Sequence, residues 1–319
     1  MEAYIGFDTS CYTTSIAIVD GSGELILDHR SALQVKKGTK GLRQSEGVFQ
    51  HTKNLGALAG LKDRLPGEIK IAAIAASVKP RPLPESYMPV FTVGENTARV
   101  AAAVARIPFF ETTHQENHIM SGLWSAGGPQ AEKFLTVHLS GGTTELLETV
   151  RNDSGFGVRI IGGTGDISAG QLVDRVGVAM GLPFPCGPHL ERLADEAEKD
   201  DLPVEIRCLA RGTYTSFSGP ETHAKKLLEA GEDRARVARA VIFCIARSLA
   251  AVIAEACSSL KINDVLMVGG VSSNKYIRGH LEENLSCRLY FPKAEYCSDN
   301  AVGTALIAMQ RYKNHTRDV

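Results

Sequence analysis

The chain has 319 residues, 44% of them hydrophobic and 22% charged, a composition typical of a globular protein long enough for two lobes. Its 35 Lys and Arg residues are balanced by 36 Asp and Glu residues, so a nucleic acid must be bound through a local basic patch or a partner protein. The cysteines form no Cys-x-x-Cys pair, and neither a leader segment nor an apolar run of membrane-spanning length is evident. We therefore expect a cytoplasmic protein with reduced thiols and no membrane contact.

The chain opens with a predicted β-hairpin around a polar turn. Runs of strand-forming residues at 4–7 and 14–19 flank the sequence Asp-Thr-Ser-Cys-Tyr-Thr at 8–13, and a third strand is expected at 24–30. An aspartate at the end of a strand, followed by hydroxyl side chains, suits nucleotide phosphates and their metal ion. Turns of this composition are also common in plain hairpins, so both interpretations stay open.

Helices and strands then alternate, which indicates an α/β architecture. An amphipathic helix is predicted at 45–65, a buried strand at 69–77 and a second helix at 94–107. Residues 80–84 include three prolines, which excludes both a helix and a central strand there.

Two histidines lie just beyond the predicted boundary between an N-terminal lobe at 1–110 and a C-terminal lobe at 111–319. His114 and His118 are four residues apart at a predicted helix start, a spacing that places both rings on one face of the helix. Two imidazoles in this arrangement supply part of a divalent metal site, although solvated or capping histidines are also common. Asp299, at the predicted start of the last helix, is the best-placed third ligand, with helix N-capping as the alternative.

The second half of the chain repeats the pattern of strand, polar turn and strand. A buried strand at 134–139 leads into the Ser-Gly-Gly-Thr-Thr sequence at 140–144, where glycines let the backbone approach a phosphate. We predict that the two hairpins form a duplicated phosphate clamp, one in each lobe. Further along, Asp174 is a candidate for ribose binding or for a surface ion pair with Arg175, and the Gly-Gly at 269–270 can support a planar base.

The most basic part of the chain is predicted to be helical. Its cationic residues are Lys225, Lys226, Arg234, Arg236 and Arg239. They form either a solvated helix face or a local nucleic-acid patch.

Taken in order, these motifs resemble those of the TsaD family, also called YgjD or Gcp, of tRNA N6-adenosine threonylcarbamoyltransferases. Eight motifs of the family have counterparts in this chain. They are E-T-S-C at 8–11, H-x-x-x-H at 114–118, S-G-G-H-T at 140–144, A-G-E-x-x-D at 169–174, P-G-G-P at 185–188, S-F-S-G at 216–219, G-G-V-x-x-N at 269–274 and C-T-D-N at 297–300. The resemblance implies an α/β, two-lobed actin-like (ASKHA) ATPase fold with a duplicated ribonuclease H-like domain. It leaves room for the final helix to pack back on the N-terminal lobe.

The resemblance also implies a function and a set of site residues. The implied enzyme is an acyltransferase that moves a threonylcarbamoyl group from threonylcarbamoyl-adenylate to N6 of adenosine 37 of tRNA. His114, His118 and Asp299 would hold one divalent ion, iron or zinc, and magnesium could accompany ATP or an adenylate. The implied catalytic residues are Asp8, Ser10 and Thr143. The implied nucleotide-binding residues are His138, Leu139, Ser140, Gly141, Gly142, Asp174, Gly187, Glu191, Gly269, Gly270 and Asn274. The implied partners are tRNA, an adenine nucleotide, and TsaB- and TsaE-like proteins or a second copy of the chain.

Three departures from the family pattern suggest alternatives. Tyr12 and Thr13 stand where the family has an acidic pair, Thr143 stands at the histidine of S-G-G-H-T, and residues 80–84 replace a Gly-Pro-Gly loop. One alternative is a divergent nucleotide- and metal-binding paralogue with a regulatory or assembly role, and another is an ATP-dependent carbamoyltransferase acting on a small molecule. An endopeptidase is not supported, because the histidine pair lacks the glutamate of His-Glu-x-x-His.

Overall fold

Two β-sheets and the helices packed on them form the framework of the protein. The computed structural model describes residues 1–10, 12–35, 41–57, 60, 65, 68–153, 155–197 and 204–317. Cys11 of the predicted polar turn, and most of the last part of the helix predicted at 45–65, lie outside the described residues.

The first sheet has five strands in the order β3-β2-β1-β4-β5. They are β1 (Glu2–Asp8), β2 (Thr13–Asp20), β3 (Leu25–Ala32), β4 (Lys70–Lys79) and β5 (Phe109–Thr113). β1 pairs antiparallel with β2 and parallel with β4, which confirms the predicted opening hairpin. The sheet extends to Thr113, past the predicted lobe boundary at residue 110.

The second sheet has seven strands in the order β12-β11-β6-β7-β8-β10-β9. They are β6 (Lys133–Leu139), β7 (Thr144–Asn152), β8 (Gly155–Thr164), β9 (Leu209–Arg211), β10 (Tyr214–Ser216), β11 (Asp264–Val268) and β12 (Arg288–Tyr290). β6 pairs antiparallel with β7 and parallel with β11.

The two sheets share one strand order. The succession β8-β7-β6-β11-β12 repeats β3-β2-β1-β4-β5. In both sets the first three strands of the chain form an antiparallel meander, and the last two run parallel to the first. An internal duplication produces this arrangement, and it places the polar turns after β1 and after β6 at equivalent positions.

The helices predicted at 45–65 and 94–107 begin within three residues of those positions, whereas the last helix begins later than predicted. The helices are α1 (Gln44–Ala57), α2 (Phe91–Ala105), α3 (His114–Ala126), α4 (Ala169–Ala179), α5 (Gly187–Asp195), α6 (Ser218–Glu229), α7 (Arg234–Leu260), α8 (Lys275–Asn284), α9 (Ala294–Cys297) and α10 (Val302–Arg317). The last helix starts at Val302 and not at Asp299, because Asn300 Oδ1 accepts a hydrogen bond from the Val302 amide at 2.9 Å. Asp299 therefore lies in the preceding loop, and its predicted position at the start of the helix is wrong.

The longest helix, α7, is the centre of the larger hydrophobic core. Residues such as Val241, Ile245 and Leu249 are fully buried in that core. Among the described residues, α7 alone is long and apolar enough to cross a membrane by length and composition, which corrects the expectation that no apolar run reaches that length. Because 67% of its most apolar window is buried inside the protein, the apolar surface is accounted for by packing.

The last helix returns to the first sheet. Ala305 and Leu306 are buried there beside Tyr4. Gly6 permits this close approach, because a Cβ atom at that position would lie only 2.4 Å from the Ala305 amide nitrogen. The end of β1, the start of α3 and the loop before α10 consequently meet at one place in the molecule.

Candidate active site

The first turn of α3 is fixed by a capping box. The Thr113 hydroxyl accepts a hydrogen bond from the Glu116 amide at 3.1 Å, and the Glu116 carboxylate accepts one from the Thr113 amide at 2.9 Å. The box starts the helix at His114 and places His118 one turn later. The two rings lie on one buried face and meet edge to face, with their Nε2 atoms 3.1 Å apart.

Asp299 brings a third ligand atom to the histidine pair. Its Oδ1 atom lies 3.4 Å from His118 Nε2 and 3.6 Å from His114 Nε2. These separations suit a shared ion, because ligand atoms that each lie about 2.0–2.2 Å from one metal ion are roughly this far from each other. Two imidazoles and one carboxylate on one side of a divalent ion leave other coordination positions open. The three predicted residues therefore fit a metal ion, with the helix-capping alternative for Asp299 excluded by its position in the loop.

Asp8 lies behind His114 and is fully buried. Its Oδ2 atom accepts hydrogen bonds from His114 Nδ1, Asn117 Nδ2 and Ser77 Oγ at 3.0, 3.0 and 2.8 Å, and Oδ1 accepts one from the Ser10 amide at 2.8 Å. Burial by itself would raise the pKa of Asp8, but the charge and hydrogen bond of His114, together with the bonds from Ser10, lower it to about 2. The carboxylate holds the Nδ1 proton of His114, so that Nε2 is the atom presented to an ion.

The second histidine is kept in the form that binds metals. Burial, and then the nearby charge of His114, lower the pKa of His118 below its ordinary value. A neutral ring can donate its Nε2 lone pair to an ion.

Asn117, which the sequence did not single out, connects the parts of this centre. Its Nδ2 donates to Asp8 Oδ2 and to the Asn300 carbonyl, and its Oδ1 accepts from the Thr304 amide at 2.8 Å. Gly303 allows the contact, because a Cβ atom there would lie 2.0 Å from the Asn117 carbonyl oxygen. The position of Asn117 between the two histidines on α3 is the signal that could have indicated it.

Arg30 on β3 holds the loop that carries Asp299. Its guanidinium donates to the Glu295 carbonyl and to Ser298 Oγ, lies 5.5 Å from the centre of the Tyr296 ring, and is oriented by Asp28. The contact joins the first sheet to the residue next to Asp299, which identifies Arg30 as a positioning residue.

We expect Arg30→Ala to weaken zinc binding by about tenfold, since outer contacts of metal ligands typically account for 10- to 100-fold in affinity. Competition with a chromophoric chelator measures the affinity. Arg99→Ala is the matched control, because Arg99 forms ion pairs with Glu95 and Glu111 on the first lobe. Equal zinc affinity in both variants would show that Arg30 does not position Asp299.

A cavity of about 510 Å³ lies beside this centre in the second lobe. Six of the predicted nucleotide-binding residues line it: Gly141, Asp174, Gly187, Glu191, Gly270 and Asn274. An apolar wall that includes Val173, Leu190 and Ile277 completes the lining. Ser298 also lines the cavity, so the cavity reaches the residue next to Asp299.

The polar side chains of the cavity are held by neighbouring backbone and amide groups. Asp174 Oδ1 accepts from the Cys186 amide at 2.8 Å, and burial raises the pKa of Asp174. Glu191 accepts from Asn274 Nδ2 at 3.1 Å. Arg175 pairs with Glu221 at 3.1 Å, so the ion pair between Asp174 and Arg175 is not formed.

The other predicted nucleotide-binding residues lie outside the cavity lining. Leu139 is fully buried in the core, and Ser140 and Gly142 belong to the β6–β7 turn. Gly269 has φ 90° and packs on Leu139, where a Cβ atom would lie 2.2 Å from the Leu139 carbonyl oxygen. His138, at the end of β6, lies against His118, with the two ring centres 4.9 Å apart.

The predicted catalytic residues lie in two different turns. Ser10 is fully buried beside Asp8, and its hydroxyl has no hydrogen-bond partner among the described residues. Thr143 is half-buried in the β6–β7 turn, where its amide donates to Ser140 Oγ at 3.1 Å.

The Ser-Phe-Ser-Gly segment is held by an aspartate that the sequence did not indicate. Asp166 accepts hydrogen bonds from the hydroxyls of Ser216 and Ser218 at 2.6 and 2.5 Å and from the Phe217 amide at 2.9 Å. Partial burial by itself would raise the pKa of Asp166, but these hydrogen bonds lower it well below its usual range.

We expect Asp166→Ala to lower the free energy of unfolding by about 1 kcal/mol at pH 7, a value reduced for solvent screening because the side chain is exposed. A lowered native pKa stabilises the fold above the unfolded pKa of about 4, and this contribution disappears as the pH falls further. The difference between the two proteins in urea unfolding should therefore shrink below about pH 4. A difference that stays constant from pH 7 to pH 3 would contradict this role.

The basic helical region shows mainly local pairing. Lys225 bonds Glu221, and Arg236 bonds Glu232 at 2.7 Å. The first pair lies within α6, and the second joins α7 to the connection that precedes it. Both pairs are local, which favours the solvated-face interpretation of this region.

Comparisons with known proteins agree with the geometry. A profile of the TsaD family, tRNA N6-adenosine threonylcarbamoyltransferase, matches residues 70–306. The chain belongs to the TsaD family. It is 30% identical to the tRNA N6-adenosine threonylcarbamoyltransferase of Thermus thermophilus, over 98% of this chain and 93% of the relative. It is 28% identical to that of Archaeoglobus fulgidus, over 97% of this chain and 91% of the relative.

Solved structures of other families share the fold. The HypF protein of T. kodakarensis matches with a TM-score of 0.60 at 14% identity, over 99% of this chain and 48% of that chain. Component A of the (R)-2-hydroxyglutaryl-CoA dehydratase of Acidaminococcus fermentans matches with a TM-score of 0.56 at 17% identity, over 98% of this chain and 100% of that chain. With the two sheets of equal strand order, these matches confirm the predicted two-lobed actin-like ATPase fold of this TsaD-family chain.

One departure from the TsaD-family pattern makes a contact of its own. Tyr12, in the turn between β1 and β2, packs edge-on against Phe184 of the loop before α5, with ring centres 5.5 Å apart. An aromatic contact between the two lobes thus occupies the place where the family has an acidic residue.

Proposed function

We propose that the protein transfers a threonylcarbamoyl group from threonylcarbamoyl-adenylate to N6 of adenosine 37 of tRNA. The observation that carries the proposal is the continuity of two sites: Ser298 lines the nucleotide-sized cavity, and the next residue, Asp299, completes the three-atom metal group. An adenylate in the cavity would extend its acyl end toward that group.

In this proposal the cavity residues bind and orient the adenylate. The apolar wall takes the adenine, the carboxylates of Asp174 and Glu191 accept hydrogen bonds from the ribose hydroxyls, and Gly141 leaves room for the phosphate. Gly270 and Asn274 complete the lining on the other side. Holding the acyl phosphate in one orientation toward the tRNA base is the main contribution of these residues.

The transfer itself forms one bond and breaks another. N6 of adenosine bonds to the carbamoyl carbon, the bond from that carbon to the phosphate oxygen breaks, AMP leaves with the electron pair, and N6 loses one proton to solvent. His114, His118 and Asp299 would hold a divalent ion whose Lewis acidity stabilises negative charge on a carbamoyl or phosphate oxygen. We propose iron or zinc, because both suit two imidazoles and a carboxylate, and magnesium can accompany the nucleotide phosphate.

We also propose a protein partner on the first lobe, either TsaB- or TsaE-like or a second copy of this chain. Phe49 on α1 and Val100 and Val104 on α2 are 60%, 64% and 81% exposed, which is unusual for large apolar side chains. Since the basic helices are locally paired, we propose that tRNA is bound with the help of such a partner, in the cytoplasm.

The test is complementation of a strain that lacks its own TsaD-family enzyme. Mass spectrometry of tRNA hydrolysates should show restored N6-threonylcarbamoyladenosine. Absence of the modified nucleoside despite normal expression and partner supply would overturn the proposal.

The contact of Tyr12 with Phe184 favours a second candidate, a nucleotide- and metal-binding paralogue with a regulatory or assembly role. It predicts bound AMP and metal without transfer, and it predicts that Tyr12→Asp combined with Thr143→His raises transfer. The ATP-dependent small-molecule carbamoyltransferase has no supporting observation of its own. Rescue by the unchanged chain would exclude the paralogue.

A further inference from the structure

His138 is a buried side chain that the fold leaves without polar partners. The residue is 4% exposed, and neither Nδ1 nor Nε2 has a hydrogen-bond partner among the described residues. Buried polar atoms in native proteins are nearly always paired with protein, water or ligand atoms. An imidazole with both nitrogens unpaired, in contact with a candidate metal ligand, indicates a place for a ligand.

The ring lies between the metal centre and the nucleotide cavity. On one side its centre is 4.9 Å from that of His118 and 6.4 Å from that of His114. On the other side it faces Gly269, where an added Cβ atom would lie 3.1 Å from His138 Cδ2. The residue after Gly269 lines the cavity. The ring thus lies between a candidate metal ligand and the residue before Gly270, which lines the cavity.

An ion pair that involves the neighbouring strand lies beside this residue. Glu145 stands opposite His138 in the β6–β7 register and pairs with Arg81 at 2.6 Å. Because an imidazole keeps at least one N–H group in both its neutral and its charged form, the His138 ring can donate a hydrogen bond to a ligand.

We propose that His138 binds the acyl end of the substrate by donating a hydrogen bond to the carbamoyl oxygen. This inference rests on the proposed function. As N6 attacks, negative charge develops on that oxygen, and a donor fixed by burial stabilises it without rearrangement. His138 is not one of the three groups close enough to share the ion, so its role differs from that of the metal ligands.

The test compares His138→Leu, which removes both polar atoms and fills the space, with His138→Gln, which keeps a side-chain donor. Single-turnover transfer to tRNA is followed by mass spectrometry, and calorimetry measures the affinities for AMP and for an unreactive threonylcarbamoyl-adenylate analogue. Bound zinc is measured by elemental analysis. His223→Leu, an exposed position on α6, is the matched control.

We expect the leucine variant to transfer about 100-fold more slowly and the glutamine variant to recover part of the rate. Affinity for the analogue should fall two- to tenfold in the leucine variant, while AMP affinity and zinc content stay unchanged. Transfer within twofold of the original rate, or loss of zinc, would overturn the role of His138. If the unchanged protein neither transfers nor binds the analogue more tightly than AMP, the proposed function fails; if it does both and the leucine variant matches it, only the His138 inference fails.

Discussion

His118→Ala should reduce the bound divalent metal from about one ion per chain to a trace and slow tRNA modification by at least about 100-fold. The three-atom group would lose the nitrogen that lies 3.1 Å from His114 Nε2 and 3.4 Å from Asp299 Oδ1. The two remaining ligands would hold an ion only weakly in a site that leaves other positions to solvent. Elemental analysis after dialysis measures the metal, and mass spectrometry of tRNA measures the modification.

The control for this variant is His223→Ala, which removes an exposed histidine of α6. It should keep both metal and activity. A loss of metal in His118→Ala would then be specific to that position and not a general effect of removing a histidine. An unchanged metal content in His118→Ala would show that the metal group is not formed by these residues. Adding EDTA to the unchanged protein should reproduce the loss of activity, and adding back zinc or iron should reverse it.

Asp8→Asn should weaken metal binding by about 10- to 100-fold and lower the free energy of unfolding by about 1–3 kcal/mol. The carboxylate accepts four hydrogen bonds in a fully buried position. An amide has only one acceptor oxygen, and its NH2 group would face the donor groups that now bond the second carboxylate oxygen. His114 would then lose the group that holds its Nδ1 proton. Chelator competition measures affinity, and urea unfolding of the metal-free protein measures stability separately.

Asp264→Asn is the matched control for Asp8→Asn, because Asp264 is also a buried aspartate and pairs with Arg288 at 2.9 Å in the second sheet. It should lower stability without changing metal affinity. If Asp8→Asn lowers stability equally and leaves metal affinity unchanged, Asp8 is a structural residue and does not position His114.

The helical pair of histidines and the two hairpins could be predicted because their signals are local. The spacing of His114 and His118, with Thr113 and Glu116 around the first of them, determines a helix start and one shared face. The strand, polar turn and strand pattern of each lobe follows from alternation and from Gly, Ser and Thr. The order of the motifs along the chain indicated the family.

The start of the last helix was not predictable from the same kind of signal. Asp299 and Asn300 are both good N-terminal residues for a helix, and sequence alone does not say which one caps it. In the structure Asn300 bonds the Val302 amide and accepts from Ser121 Oγ at 3.1 Å, so a contact from α3 decides the matter. Asp299 is thereby left in the loop, with its carboxylate turned to the histidines.

The sequence by itself determined the helix that carries the two candidate histidine ligands and the family to which the chain belongs. Only the tertiary structure decided that Asp8 lies behind His114, that Asn117 joins it to the last helix, and that Arg30 holds the Asp299 loop. These contacts join residues far apart in the chain, and they exist because α10 packs on β1 and α3. Local propensity describes residues within a few positions of each other, whereas a metal centre is built from side chains that only the packing of sheets and helices brings together.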